Sequence, residues 1–190
     1  MNWTNIKNKS PYEILEMLEM NEPPFNPFDI ARKLNLNVKR TLDYDKLQNE
    51  GQISVNKNSE PEIWINPIKS EVRQRFTLAH ELGHLANDVL PQIDDPIIDK
   101  YETLYRSSVY GGIETQANRF AAKLLMPLKP LEEFIQAQRL INANLNAKEA
   151  IILIATKFEV SKQAAFHRLQ NIGLISKDYI YPFLPRLKNF

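Results

Sequence analysis

The stretch Arg75-Phe76-Thr77-Leu78-Ala79-His80-Glu81-Leu82-Gly83-His84-Leu85-Ala86 decides how the rest of the chain is read. It predicts a helix. At about 100° per residue its two histidines fall within about 40° of each other, one turn apart, close enough to share one metal ion. Glu81 falls about 60° from His84, beside such an ion, where a carboxylate can take a proton from water without being a ligand. Leu78, Leu82, Leu85 and Val89 cluster on the opposite side, so the helix is expected to show one chemical face and pack the other on a core.

Two histidines are not enough, because a catalytic zinc takes three protein ligands and keeps one position open. The metzincin spacing needs Gly and His three and six residues past the second histidine; Asn87 and Leu90 stand there, so that arrangement is excluded. The alternative is a glutamate on a later helix. Glu114 opens a helical pattern that runs to Met126 and stops at Pro127, and it is taken as the third ligand. Asp88 has drifted about 80° from His80 on a continuing helix, and Asp94, Asp95, Asp99 and Glu102 read as a solvated acidic loop without calcium-loop spacing. Asn118, one turn beyond Glu114, is placed to accept a hydrogen bond from the outer nitrogen of a ligating histidine. Zinc is the expected metal, with Mn2+ and Fe2+ as alternatives, since His-His-Glu sites accept several divalent ions.

Outward from this centre, Ser10-Pro11 and Asn26-Pro27 each open a short helix. Asn35–Lys39, Gln52–Asn56 and Glu62–Asn66 alternate as strands, the last two as a hairpin, which predicts a small, largely antiparallel sheet before the metal helix. Asn66 or Ser70 is expected to cap that helix, which should run to about Asn87. Residues 88–111 hold Pro91, Pro96 and Gly111 among several aspartates and read as an irregular excursion with one short helix, a wall for a cleft. Leu131–Ile141 forms a further helix. The polar run Asn142–Asn146 then marks the expected boundary between a domain of residues 1–143 and a helical segment of residues 144–190. In the latter, Ala147–Lys157 and Ser161–Gln170 are joined by a short turn in the manner of a helix-turn-helix.

The 190 residues suffice for a real core, and 43% hydrophobic with 25% charged residues is ordinary globular composition. A formal charge of +1 supplies no global attraction to nucleic acid or membrane. With no cysteine there is no disulfide framework, thiolate site or cysteine nucleophile. The amino terminus lacks the apolar core of a signal peptide and no run is long enough to span a bilayer, so no membrane association and a cytoplasmic location are expected.

Residues from about 75 to 127 resemble the ImmA/IrrE family of metallopeptidases. The motif around His80-Glu81-x-x-His84 is followed by Glu114-x-x-Ala117-Asn118-x-Phe120-Ala121 and Leu124-Leu125-Met126-Pro127. A weaker likeness extends over most of the chain. The resemblance implies an α+β, zincin-like core, zinc held by His80, His84 and Glu114, and Glu81 as general base. It also implies a protein substrate: a DNA-binding repressor or antitoxin in phage, mobile-element or stress-response regulation. The competing reading is a non-proteolytic regulator that binds DNA or a partner through residues 147–190, with Lys162, Gln163, His167 and Arg168 on a recognition helix and a metal kept for structure. In the simpler reading Ala164, Ala165, Phe166 and Leu169 pack, and His167 is a surface or packed side chain rather than a ligand. Met126 is expected to be plain core. Tyr101, Tyr105, Tyr110, Arg73, Arg75 and His167 are all chemically suited to stabilise an oxyanion, and sequence distance does not select among them.

Overall fold

Ser10 starts the first helix, α1 (Pro11–Met17), with a reciprocal cap: its hydroxyl accepts from the Glu13 amide, and the Glu13 carboxylate accepts from the Ser10 amide at 2.7 Å. Asn26 caps α2 (Pro27–Lys33) in the same region, its side-chain oxygen accepting from the Phe28 amide. These contacts belong to a computed structural model that describes residues 2–56, 60–87, 97–100 and 112–183, with 97–100 described by their strand pairing alone.

The sheet orders its strands β1-β3-β2-β4, with β1 at Asn37–Lys39, β2 at Asn49–Val55, β3 at Pro61–Ile65 and β4 at Ile97–Lys100. The expected β2–β3 hairpin is present and antiparallel, with Ile53 opposite Ile63 and Gly51 opposite Ile65. Two features differ from expectation. First, β1 runs parallel to β3. The chain leaving β1 passes the end of β3, where the Trp64 indole nitrogen donates to the Thr41 carbonyl, before turning into β2; β1 therefore lies on the far side of a reversed strand. Second, residues 97–100 are not irregular but form an edge strand antiparallel to β2. The short helix expected within 88–111 lies outside the described residues, as does Val89.

Of the two cap candidates, Ser70 occupies the N-cap of α3 (Glu71–Ala86). Asn66 instead ties the preceding turn to β2, donating to the carbonyls of Leu47 and Asn49 while accepting from the Ile68 amide. The helix ends at Asn87, close to the expected limit. Its environment differs from the one-sided picture, because every residue from Thr77 to Ala86 is buried, the histidines and Glu81 as fully as the leucines. The sheet, α2 and α4 (Ile113–Leu125) all pack on it. Burial of Leu78, Leu82 and Leu85 contributes roughly 2 kcal/mol each, enough to hold a polar face inside.

Met126 ends α4 and is buried in the core, as expected. Beyond it come α5 (Leu128–Ile141), α6 (Ala147–Lys157) and α7 (Lys162–Asn171). Asn146 caps α6 and Ser161 caps α7. Ile151, Ile154, Phe158, Ala165, Phe166 and Leu169 join the same buried cluster as Leu78 and Leu82. Arg168, one of the four residues of the competing recognition-helix reading, is buried, and its Nε donates to the Met126 carbonyl at 3.0 Å. Lys162, Gln163 and His167 are exposed. Among the described residues no helix is long and apolar enough to cross a membrane.

Candidate metal centre

The two helices that carry the expected donors meet at their smallest residues. A Cβ added to Gly83 would sit 3.1 Å from the Ala117 Cα and 3.1 Å from the Phe120 Cβ. Glycine inside a helix costs about 1 kcal/mol relative to alanine. Here it lets α4 lie close enough along α3 for a carboxylate on one helix to reach imidazoles on the other.

That approach brings His80, His84 and Glu114 together, one potential ligand atom from each lying within 4.8 Å of the others. His80 Nε2 is 3.1 Å from Glu114 Oε2 and 2.9 Å from His84 Nε2; His84 Nε2 is 3.5 Å from Glu114 Oε1. Both rings are fully buried. Asn118, one turn along α4, places its Oδ1 3.0 Å from His80 Nδ1. A carbonyl oxygen only accepts, so Nδ1 carries the proton and donates it, leaving the Nε2 lone pair turned toward the other two donors.

The donor set can be tested for a cation on these contacts. A buried carboxylate and two imidazole nitrogens converge on one point, and among the described residues Glu114 Oε2 has no hydrogen-bond partner. Acceptors crowded together in a low-dielectric interior repel unless a positive charge lies between them. Two nitrogens and one carboxylate suit a divalent metal of the zinc type, with further positions left for water or substrate. The protonation states agree. Burial, and next the neighbouring His80 ring, pull the His84 pKa down to about 4 against the opposing pull of Glu114, so the ring is neutral near pH 7.

Glu81 is fully buried on the same helix. Its position is bounded by β2: a Cβ on Gly51 would come within 3.2 Å of Glu81 Oε1 and 2.5 Å of Thr77 Cγ2. Glycine at 51 therefore lets the strand pass directly over the turn that carries Thr77 and Glu81. The β2–β4 register shifts between Asn49 and Gly51, and the residue between them, Glu50, is turned inward. Its buried carboxylate takes the Lys69 ammonium at 3.1 Å and the Arg73 guanidinium at 2.9 Å.

Of the side chains considered for an oxyanion, Arg75 is committed to holding the C-terminal helices. It pairs with Glu159 at 2.9 Å and donates to the carbonyls of Phe25 and Phe158. His167 is exposed on α7, as expected of a surface residue. Tyr101, Tyr105 and Tyr110, with Asp88, Asp94, Asp95 and Glu102, lie outside the described residues, and of Asp99 only the strand pairing is described. The reading by residue type missed Gly51, Gly83 and Thr77. An interior glycine in a helix and another in a strand were the available signals of close backbone approach.

Comparison with known proteins points to a peptidase family. A peptidase family described as the IrrE N-terminal-like domain matches residues 30–170. The radiation response metalloprotease IrrE of Deinococcus radiodurans is 33% identical over 107 residues, which cover 56% of this chain and 30% of that protein. The matched stretch thus spans less than a third of the relative.

Proposed function

Because this chain belongs to the peptidase family of the IrrE N-terminal-like domain, we propose that it is a metal-dependent endopeptidase with a zincin-like centre. The observation that carries the reading is the convergence of His80, His84 and Glu114 from two helices beside a buried Glu81. These three residues would hold zinc, the ion that best suits two imidazoles and a carboxylate, with manganese or iron as substitutes. When bound, the ion polarises a peptide carbonyl and lowers the pKa of water at the site. Glu81 takes the proton from that water and later delivers it to the departing amine. Asn118 fixes the His80 tautomer so that Nε2 stays available.

The substrate we infer is an intracellular regulatory protein, a DNA-binding repressor or antitoxin, acting in the cytoplasm. The family resemblance supports this choice, as does the family's peptidase character. Burial of Arg168 against Met126 speaks against residues 147–190 as a DNA reader.

The test is to compare wild-type protein with Glu81→Gln for zinc content and for cleavage of candidate DNA-binding repressors and antitoxins from the same organism. Cleavage lost with zinc retained is the expected result. If neither protein cleaves, and regulation proceeds equally with both, the peptidase reading fails and a non-proteolytic regulator with a structural metal takes its place.

A further inference from the structure

We propose that the cavity between the first turns of α3 and α7 is a specificity pocket, which takes a glutamate side chain of the substrate polypeptide near the bond that is cut. The proposal deepens the peptidase reading above and rests on it for the source of the ligand. The cavity measures about 350 Å3, the size of a small-ligand site. Lys69, Arg73 and Glu50 form its charged wall, and Phe76, Leu125 and Val160 its apolar one.

Both walls are held in place from outside the cavity. Glu50 is 2% exposed, and each of its oxygens holds one cation, Lys69 Nζ at 3.1 Å and Arg73 Nε at 2.9 Å. One carboxylate against two cations leaves a single positive excess, and among the described residues no second carboxylate lines the cavity. Two arginines fix α7 across the opening. Arg75 pairs with Glu159 and donates to the Phe158 carbonyl, which sets the turn carrying Val160. Arg168 donates to the Met126 carbonyl, next to Leu125. A lining of this charge attracts an anion and repels a cation. A short aliphatic stem against the apolar wall, ending in a carboxylate, satisfies both walls, and glutamate is the side chain so built.

The cavity continues the helix faces that carry the metal donors. On α3, Phe76 lies about 40° and Arg73 about 20° from His80; on α4, Leu125 lies about 20° from Glu114. Arg73 precedes His80 by two turns, roughly 10 Å along the axis. An extended peptide covers that distance in about three residues. A chain held for attack at the donors therefore reaches the cavity with a side chain a few residues from the scissile bond.

Gln163 lines the cavity and is exposed, so charge can be placed on the wall there without disturbing the core. The probes are end-blocked heptapeptides of alanine with one central glutamate, glutamine or lysine, and glutarate as a free dicarboxylate. They are titrated into zinc-loaded Glu81→Gln protein, which leaves peptides intact. The readout is the Arg73 Nε–Hε resonance, assigned by its loss in Arg73→Lys. The glutamate peptide should move that resonance saturably, the other two peptides should not, and glutarate should do so weakly. Adding Gln163→Glu should weaken the glutamate peptide roughly 2- to 5-fold, and Gln163→Lys should tighten it by a similar factor; both effects should shrink as salt is raised. With the active enzyme and a mixture of peptides from digested cell extract, cleavage sites should carry an acidic residue at one fixed place, a preference that Gln163→Glu weakens. A glutamate peptide that moves the resonance no more than the glutamine peptide overturns the proposal, as does binding that neither Gln163 variant changes. A response to glutarate without one to the glutamate peptide overturns it too, and makes the cavity a site for a small free acid. If wild-type protein cleaves no peptide, that counts against the peptidase reading, and the titration alone decides whether the cavity takes a polypeptide glutamate.

Discussion

The Asn118 Oδ1 lies 3.0 Å from His80 Nδ1, so an amide on α4 sets which nitrogen of a ring on α3 is left to bind metal. An amide oxygen is a weaker acceptor than a carboxylate, yet it leaves the ring no choice of tautomer. Asn118→Ala should lower zinc affinity about 10- to 100-fold, and Asn118→Asp should match or exceed wild type. Competition with a chromophoric chelator measures both. Equal affinity in Asn118→Ala would remove Asn118 from the metal centre.

Glu114 supplies the only carboxylate among the three convergent donors. Removing it leaves two rings on one helix turn, so Glu114→Ala should weaken zinc binding by more than the roughly 100-fold expected of an outer partner. Zinc retained at wild-type affinity in the same titration would show that a different residue is the third ligand.

The crossing of α3 and α4 at Gly83 predicts a graded response. Gly83→Ala has to move Ala117 or Phe120 by a few tenths of an ångström, a strain offset by the roughly 1 kcal/mol that alanine adds to a helix interior. Gly83→Val has no such accommodation and should cost about 1–3 kcal/mol, with zinc affinity falling as the helices separate. Denaturant unfolding and metal titration should report the two losses together. A Gly83→Val protein of wild-type stability and affinity would mean that the close approach does not hold the donors.

Acid should destabilise the metal-free protein. Burial, then the His80 ring, lowers the His84 pKa to about 4 in the folded chain, while an unfolded histidine titrates near 6.5. Between these values the unfolded chain binds more protons than the folded one, so stability falls as pH drops from about 6.5 toward 4. Melting temperature in a chelator should fall as pH is lowered across the window. A flat profile would indicate that the His84 ring is not held neutral.

Much of the centre was legible in residue spacing because helical geometry is local. The positions of His80, Glu81 and His84 along one helix, and of Glu114 and Asn118 along another, follow from a fixed rotation per residue. The helix openings at Ser10 and Asn26 were legible for the same reason. Strand β4 was not. Four residues, Ile97–Lys100, carry too short a pattern among prolines and aspartates, and pairing with β2 decides them. The direction of β1 was equally hidden, because it depends on which side of a hairpin the strand joins. Arg75 and Arg168 read as chemical or surface groups, yet both are buried on carbonyls far away in the chain: Phe25 and Phe158 for Arg75, and Met126 for Arg168. No pattern along the sequence reports partners at that separation.

The contact of Gly83 with Ala117 also bears on how such a chain can diversify. The geometry of the donors is referred to a helix crossing, with the single strand β4 as the only described element between the two helices. The reach from Glu114 to the two rings is therefore set by how closely two helix backbones approach. A chain of this architecture can thus lose its donor cluster through added bulk at the crossing, with every donor residue unchanged.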